Sequence, residues 1–275
     1  MQPGRVHSTF YWIVRVSQWL VLAAIAVAML APVIPLSGMR PLDSALKFMV
    51  DQNKVINLML VGLFGACATA RKYLGEPWLW DCIKGILAGF QKEAFSEVGE
   101  GELADHHRIT LYRHQLFCLW PRRRGGNWYW PWGKGNHPWS GWLVPMVRAG
   151  PESAGTTVFL ASDGQRFDGV CGAAYFQQSA TLEISALPNI TKESSDADIT
   201  EYARRAFASE ELVRRRLRRG QPCARYFLAH HVNVQYKKWG ILMIDTRAAV
   251  IPKPTVNQHR FKQIKDVLGH LLRRA

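Results

Sequence analysis

The chain has 275 residues, 48% of them hydrophobic, and a formal charge of +14. That length and apolar content exclude general disorder and allow one domain with an appendage, or two small domains. Residues 1 to 105 hold nine basic and nine acidic side chains, whereas residues 106 to 275 hold 26 and 12. The second part therefore favours an anionic partner: a phosphorylated ligand, nucleic acid or an anionic membrane face.

From Val16 to Met39 no residue is charged, and WLVLAAIAVAMLAPVIPL is almost wholly apolar. As a helix this run reaches about 36 Å, enough for a hydrocarbon core of about 30 Å. Tyr11, Trp12 and Trp19 suit an interfacial belt at its start, and Pro32 and Pro35 suit its far end. A cleaved signal peptide has a shorter apolar region. The second run, VINLMLVGLFGACATA from Val55 to Ala70, covers only about 24 Å and needs snorkelling Lys54, Arg71 and Lys72 at its ends. Its alternative is a buried helix of a soluble domain. Gly62, Gly65, Ala66 and Ala68 offer a small-residue face for close helix packing.

Residues 1–75 are thus expected to be a two-helix transmembrane hairpin with both termini on one side. The basic residues flanking the spans favour the cytoplasm slightly, which implies a multi-pass inner (plasma) membrane protein. Five cysteines without a CxxC pair also fit a reducing compartment. No metal site is expected, because neither His106-His107 nor His230-His231 has a ligand-spaced partner. Adjacent histidines in a strand point to opposite faces.

Residues 76–98 read as a stalk helix, with Pro77 in its first turn and Ile83, Ile86, Leu87, Phe90 and Ala94 at helical spacing. From residue 99 to 275 the pattern becomes short β runs: HRITLYR, QLFCLW, WLVPMVRA, TTVFLA, ATLEISAL, ARYFLAHHVNVQ and WGILMIDT. One helix is predicted from Asp198, capped by that carboxylate, through Leu217, and another from about Asn257. The expected fold class is α+β, an antiparallel sheet with flanking helices on one face and at its ends.

The ordered set HRITLYRHQLFCLW, GWLVPMVRAG, GVCGAAYFQQSATLEISALP and YKKWGILMIDT resembles the GAF family of small sensory domains, over about Ala94 to Leu272. The resemblance implies two early strands, a loop and a third strand, then a glycine-flanked short helix leading to a strand near Leu-Pro, and a late WG strand ending in Asp. It also implies a domain that binds a small ligand or dimerises, with no shared catalytic residues. The tryptophan-rich segment and the membrane hairpin depart from the family pattern.

No phosphate loop occurs, and Cys171 in GVCGAA reads as packed rather than reactive. Asp163 and Asp168 flank GQRF, which reads as a turn. RRRGGNWYWPWGKGNHPWSGW, residues 122–142, holds five tryptophans, four basic side chains and no acid. It reads as core cover, as a headgroup contact, or as a ligand lid in which indoles stack and arginines meet phosphate. The candidate ligand-binding residues are Trp130, Trp132, Arg122, Arg123, Arg124 and Arg148. The candidate membrane-surface residues are Trp128, Lys134, Arg214 and Arg215. RRRLRRG, from Arg214 to Gly220, is a helix end whose charge Glu210 and Glu211 offset in part.

The leading expectation is a membrane-anchored, non-catalytic sensory or regulatory protein, with the bilayer, a second copy and an anionic small molecule or nucleotide as partners. No cofactor is specified, and nucleic acid is disfavoured because no binding motif accompanies the charge. Two other readings stay open: a membrane effector of phage-defence type activated by a nucleotide signal, and a small enzyme using the same pocket.

Overall fold

A computed structural model describes residues 3–30, 53–74, 76–96, 107–116, 123–124, 127–128, 139–150, 158–221 and 223–274. The chain divides into two units, Met1–Trp80 with Ala275 and Asp81–Arg274.

The first unit contains α1 (Pro3–Leu30) and α2 (Asn53–Leu74). Arg71 of α2 stacks its guanidinium 5.8 Å from the Tyr11 ring of α1, which brings the carboxyl end of α2 beside the amino half of α1. Tyr11 and Val21 are buried, whereas Trp12, Trp19, Leu20, Met29, Leu58 and Met59 are each more than half exposed. Among the described residues α1 alone is long and apolar enough to cross a membrane, over Thr9–Val27. The apolar part of α2, Val55–Arg71, is shorter. A second span is therefore not established by length and hydropathy. The packing role expected for Gly62 and Gly65 is corrected: a Cβ added at either would meet nothing within 4 Å. Pro32 and Pro35 lie outside the described residues.

The second unit is built on one antiparallel sheet. Its elements are α3 (Pro77–Ala94), which begins in the first unit, β1 (Arg108–Gln115), β4 (Trp142–Ala149), β5 (Phe159–Leu160), α4 (Gly169–Phe176), β6 (Thr181–Ile184), α5 (Asp196–Arg205), α6 (Glu210–Arg218), β7 (Tyr226–Val234), β8 (Lys237–Thr246) and α7 (Pro254–Leu271). A short ribbon pairs β2 (Arg123–Arg124) with β3 (Asn127–Trp128). The sheet order is β5-β4-β1-β8-β7-β6. The strand HRITLYR, the short helix and the late WG strand thus follow the chain order that the sequence resemblance implies, while the QLFCLW run lies, beyond Leu116, outside the described residues.

Alternation along the strands separates two faces, and helices cover both, not one as expected from the sequence. His230 and His231 show the separation. The His231 Nε2 meets the carbonyl of Ala174 in α4 at 2.5 Å, while the His230 ring lies 5.1 Å from Phe261 of α7. On the α7 side, α3 and α7 run antiparallel: Phe90 stacks on Phe261, Glu93 pairs with Arg260, and Asn257 donates to the Ala94 carbonyl. Ile83, Leu87, Phe261 and Leu268 are fully buried. The apolar stripes of these two helices thus meet within one chain, with Ile86 and Leu271 half-buried.

Gly240 explains the WG pair of β8: a Cβ there would collide with the Tyr112 carbonyl of the neighbouring β1, so only glycine permits this close approach. The helix predicted from Asp198 is also corrected. Ser195 is the cap, its Oγ accepting from the Asp198 amide and donating to the Asp198 carboxylate. Phe207, at φ 51°, then breaks the run, and Ser209 caps α6. Two capping serines make two short helices out of what side-chain periodicity presents as one.

Candidate functional site

On the α4 face, period-two alternation in β1 brings Arg108, Thr110 and Tyr112 to the same side. Asp245 stands opposite Arg108 on β8, and Arg148 opposite Thr110 on β4. Arg108 donates through Nε to Asp245 Oδ2 at 2.8 Å, and its Nη2 completes the ion pair. Arg148 donates from Nε to Thr110 Oγ1 at 3.2 Å. Thr110, Tyr112 and Asp245 are buried.

The short helix α4 roofs this cluster. Gly172 lets it approach β5: an added Cβ would sit 2.9 Å from the Leu160 carbonyl. The Asp168 carboxylate accepts from the Leu160 amide at 3.3 Å, tying the helix start to the sheet. Cys171 projects inward, fully buried, with its Sγ 3.2 Å from Met243 Sδ. Burial pushes the Cys171 thiol well up, as does Asp245, while Arg148 pulls it partly back. Burial likewise raises Tyr112, with Cys171 adding to the effect and Arg148 opposing it. The thiol is therefore protonated near neutrality, and thiolate chemistry is disfavoured. The arrangement is one ion pair, a second guanidinium bonded to a threonine hydroxyl, and a buried tyrosine ring beside them.

Of the residues singled out from sequence, Arg148 belongs to this cluster. Arg122, Trp130, Trp132 and Lys134 lie outside the described residues. Arg123, Arg124 and Trp128 belong to the β2–β3 ribbon, with Arg123 paired to Trp128. Arg214 bonds Asp196 at 2.6 Å, and Arg215 bonds Glu211 at 2.5 Å, so local acids offset both charges. GQRF is a turn: Asp163 Oδ1 accepts from the Gln165 and Arg166 amides. Cys67, Cys82, Cys171 and Cys223 are free thiols, and Cys118 lies outside the described residues. Among the described residues no metal-holding group of side chains occurs.

Arg108, Thr110 and Asp245 were not singled out from the sequence. Their signal was present in the alternation R-x-T-x-Y of HRITLYR and in the acid closing WGILMID, but only the β1–β8 register joins the two.

No protein-family model matches the chain, and neither does any curated protein. Among solved structures it is similar to a type II free methionine-R-sulfoxide reductase from Thermoplasma acidophilum, at 10% identity over 70% of this chain and 94% of that one, with a TM-score of 0.37. It is also similar to the nlh2 GAF domain of A. aeolicus in an inactive state, at 15% identity, 71% and 91% coverage and a TM-score of 0.32. A third is the chromophore-binding domain of Stigmatella aurantiaca phytochrome P1, at 14% identity, 73% and 54% coverage and a TM-score of 0.34. The chain is an α+β protein with a buried polar cluster beneath a short helix, preceded by an apolar helix long enough to cross a membrane.

Proposed function

We propose that the chain is a membrane-anchored sensory or regulatory protein whose GAF-like domain binds an anionic small molecule, of which a nucleotide is one class, without transforming it. The observation that carries this reading is the cluster of Arg148, Thr110, Tyr112 and the Arg108–Asp245 pair beneath α4. Arg148 and Thr110 are the groups that would meet the anion. Tyr112 would pack against the rest of the ligand, and the ion pair would hold the floor of the site. The protonated Cys171 thiol supports binding over covalent catalysis.

In this reading α1 and α2 form a two-span hairpin over residues 1–75. Lys54, Arg71 and Lys72 extend the shorter second span, and both termini lie in the cytoplasm at the inner membrane. The stalk, residues 76–98, joins the hairpin to the domain of residues 99–275. Ligand closure of α4 onto the sheet would bias the β1–β8 register and hence α3 and α7 on the opposite face. Three experiments test the reading. The full chain should remain with membranes after a salt wash, and a carboxyl-terminal reporter should be active only in the cytoplasm. A nucleotide and metabolite screen on the detergent-solubilised chain should yield an anion that raises its melting temperature.

A further inference from the structure

One end of the sheet gathers exposed aromatic and basic side chains that the ligand cluster does not use. The β7–β8 hairpin turns there through Gln235 and Tyr236, both left-handed at φ 50° and 64°. Two-residue turns of this kind ordinarily take Asn-Gly or Asp-Gly. Here the second position holds a wholly exposed tyrosine, followed by exposed Lys237. At the same end β1 is followed by Leu116, 74% exposed, and the chain enters β4 from Trp139, 58% exposed. Arg113, stacked on Trp239, adds a further charge. No acidic residue occurs in 113–116, 139–142 or 232–244.

This end is also where the chain enters the domain. A Cβ at Gly269 would lie 2.8 Å from the Asn233 carbonyl, which places the carboxyl end of α7 beside the β7–β8 hairpin. Because α3 and α7 run antiparallel, the amino end of α3 lies at this end too. In the sequence only Gly75 and Glu76 separate that helix from α2.

We infer that this end of the domain, led by Tyr236, Lys237, Trp139 and Leu116, docks on the headgroup layer of an anionic bilayer. Aromatic side chains with a polar tip settle at that depth, lysines meet lipid phosphate, and the two-residue connection to the apolar α2 tethers this end of the chain to the bilayer. The inference rests on the membrane-anchored reading and adds a second contact to it.

The test uses the full chain in phosphatidylcholine vesicles with and without phosphatidylglycerol. The photo-crosslinking residue benzoylphenylalanine is placed singly at positions 22, 193 and 236, all outside the buried core. Position 236 should label lipid, more strongly with phosphatidylglycerol, and position 193 should not. Lys237→Gln should lower labelling from position 236 about five-fold at low salt, with less effect at high salt. Lipid labelling at 22 without labelling at 236 would overturn the docking while the anchor stands. Adducts between two copies at 236 would overturn it in favour of self-association. Absence of lipid labelling at 22 as well would remove the anchor, and the docking with it.

Discussion

Phe90 stacks on Phe261 with ring centroids 5.8 Å apart and planes 24° from parallel, so the helix that enters the domain and the helix that closes it share one apolar seam. A chain beginning at residue 99 loses Ile83, Leu87 and Phe90 from that seam. It should be insoluble or lack a cooperative transition, whereas one beginning at residue 76 should melt cooperatively. In the full chain, Phe261→Ala should cost roughly 3 to 5 kcal/mol by chemical unfolding.

Gly240 supplies a sharper test of register. Gly240→Ala forces a Cβ against the Tyr112 carbonyl, and neither strand can move without disturbing its neighbour. The expected loss is about 1 to 3 kcal/mol, measured by denaturant titration, with increased amide exchange in β1 and β8.

The Arg108–Asp245 pair should be more costly to break than to replace. Asp245→Ala leaves the Arg108 guanidinium, 17% exposed, without its carboxylate, and should destabilise by about 3 kcal/mol. Replacing both residues by apolar ones should restore much of that stability and so separate a packing role from an ionic one.

His230 gives the domain an acid sensitivity whose sign is fixed. Burial, then Lys265 and His231, lower its folded pKa from 6.5 to about 4, so the fold favours the neutral ring. Above pH 6.5 neither the folded nor the unfolded state binds this proton. Between pH 6.5 and about 4 the unfolded state takes a proton that the folded state refuses, and stability falls as pH falls. His231 and His114, also lowered by burial, act in the same direction. His230→Gln should flatten the loss of melting temperature between pH 7 and pH 4.5, and an unchanged slope would assign the effect elsewhere.

The sequence shows individual strands more clearly than the relations between them. HRITLYR, WLVPMVRA and WGILMIDT lie in β1, β4 and β8 because their β-branched and aromatic residues suit a pleated, buried surface. The histidine pair is legible for the same reason, since residues at i and i+1 must part. The break at Phe207 is hidden, because the apolar spacing continues through it and only the serine caps mark two helices. The polar cluster is hidden because Arg108 and Asp245 are 137 residues apart, joined by a register that local pattern does not encode. Helices on both faces were missed because α3 reads as a separate stalk until α7 is seen beside it.

The claim that Arg148 and its neighbours receive an anionic ligand is tested most directly by comparing wild-type and Arg148→Gln proteins against the same panel of anionic small molecules. A ligand at a hundred times its Kd should stabilise the wild-type chain by about 2.7 kcal/mol, a shift on the order of 5 to 10 °C. The unliganded Arg148→Gln chain should melt within a few degrees of wild type and lose that shift. A panel in which no anion raises the wild-type melting temperature, or an equal shift in Arg148→Gln, would contradict the account.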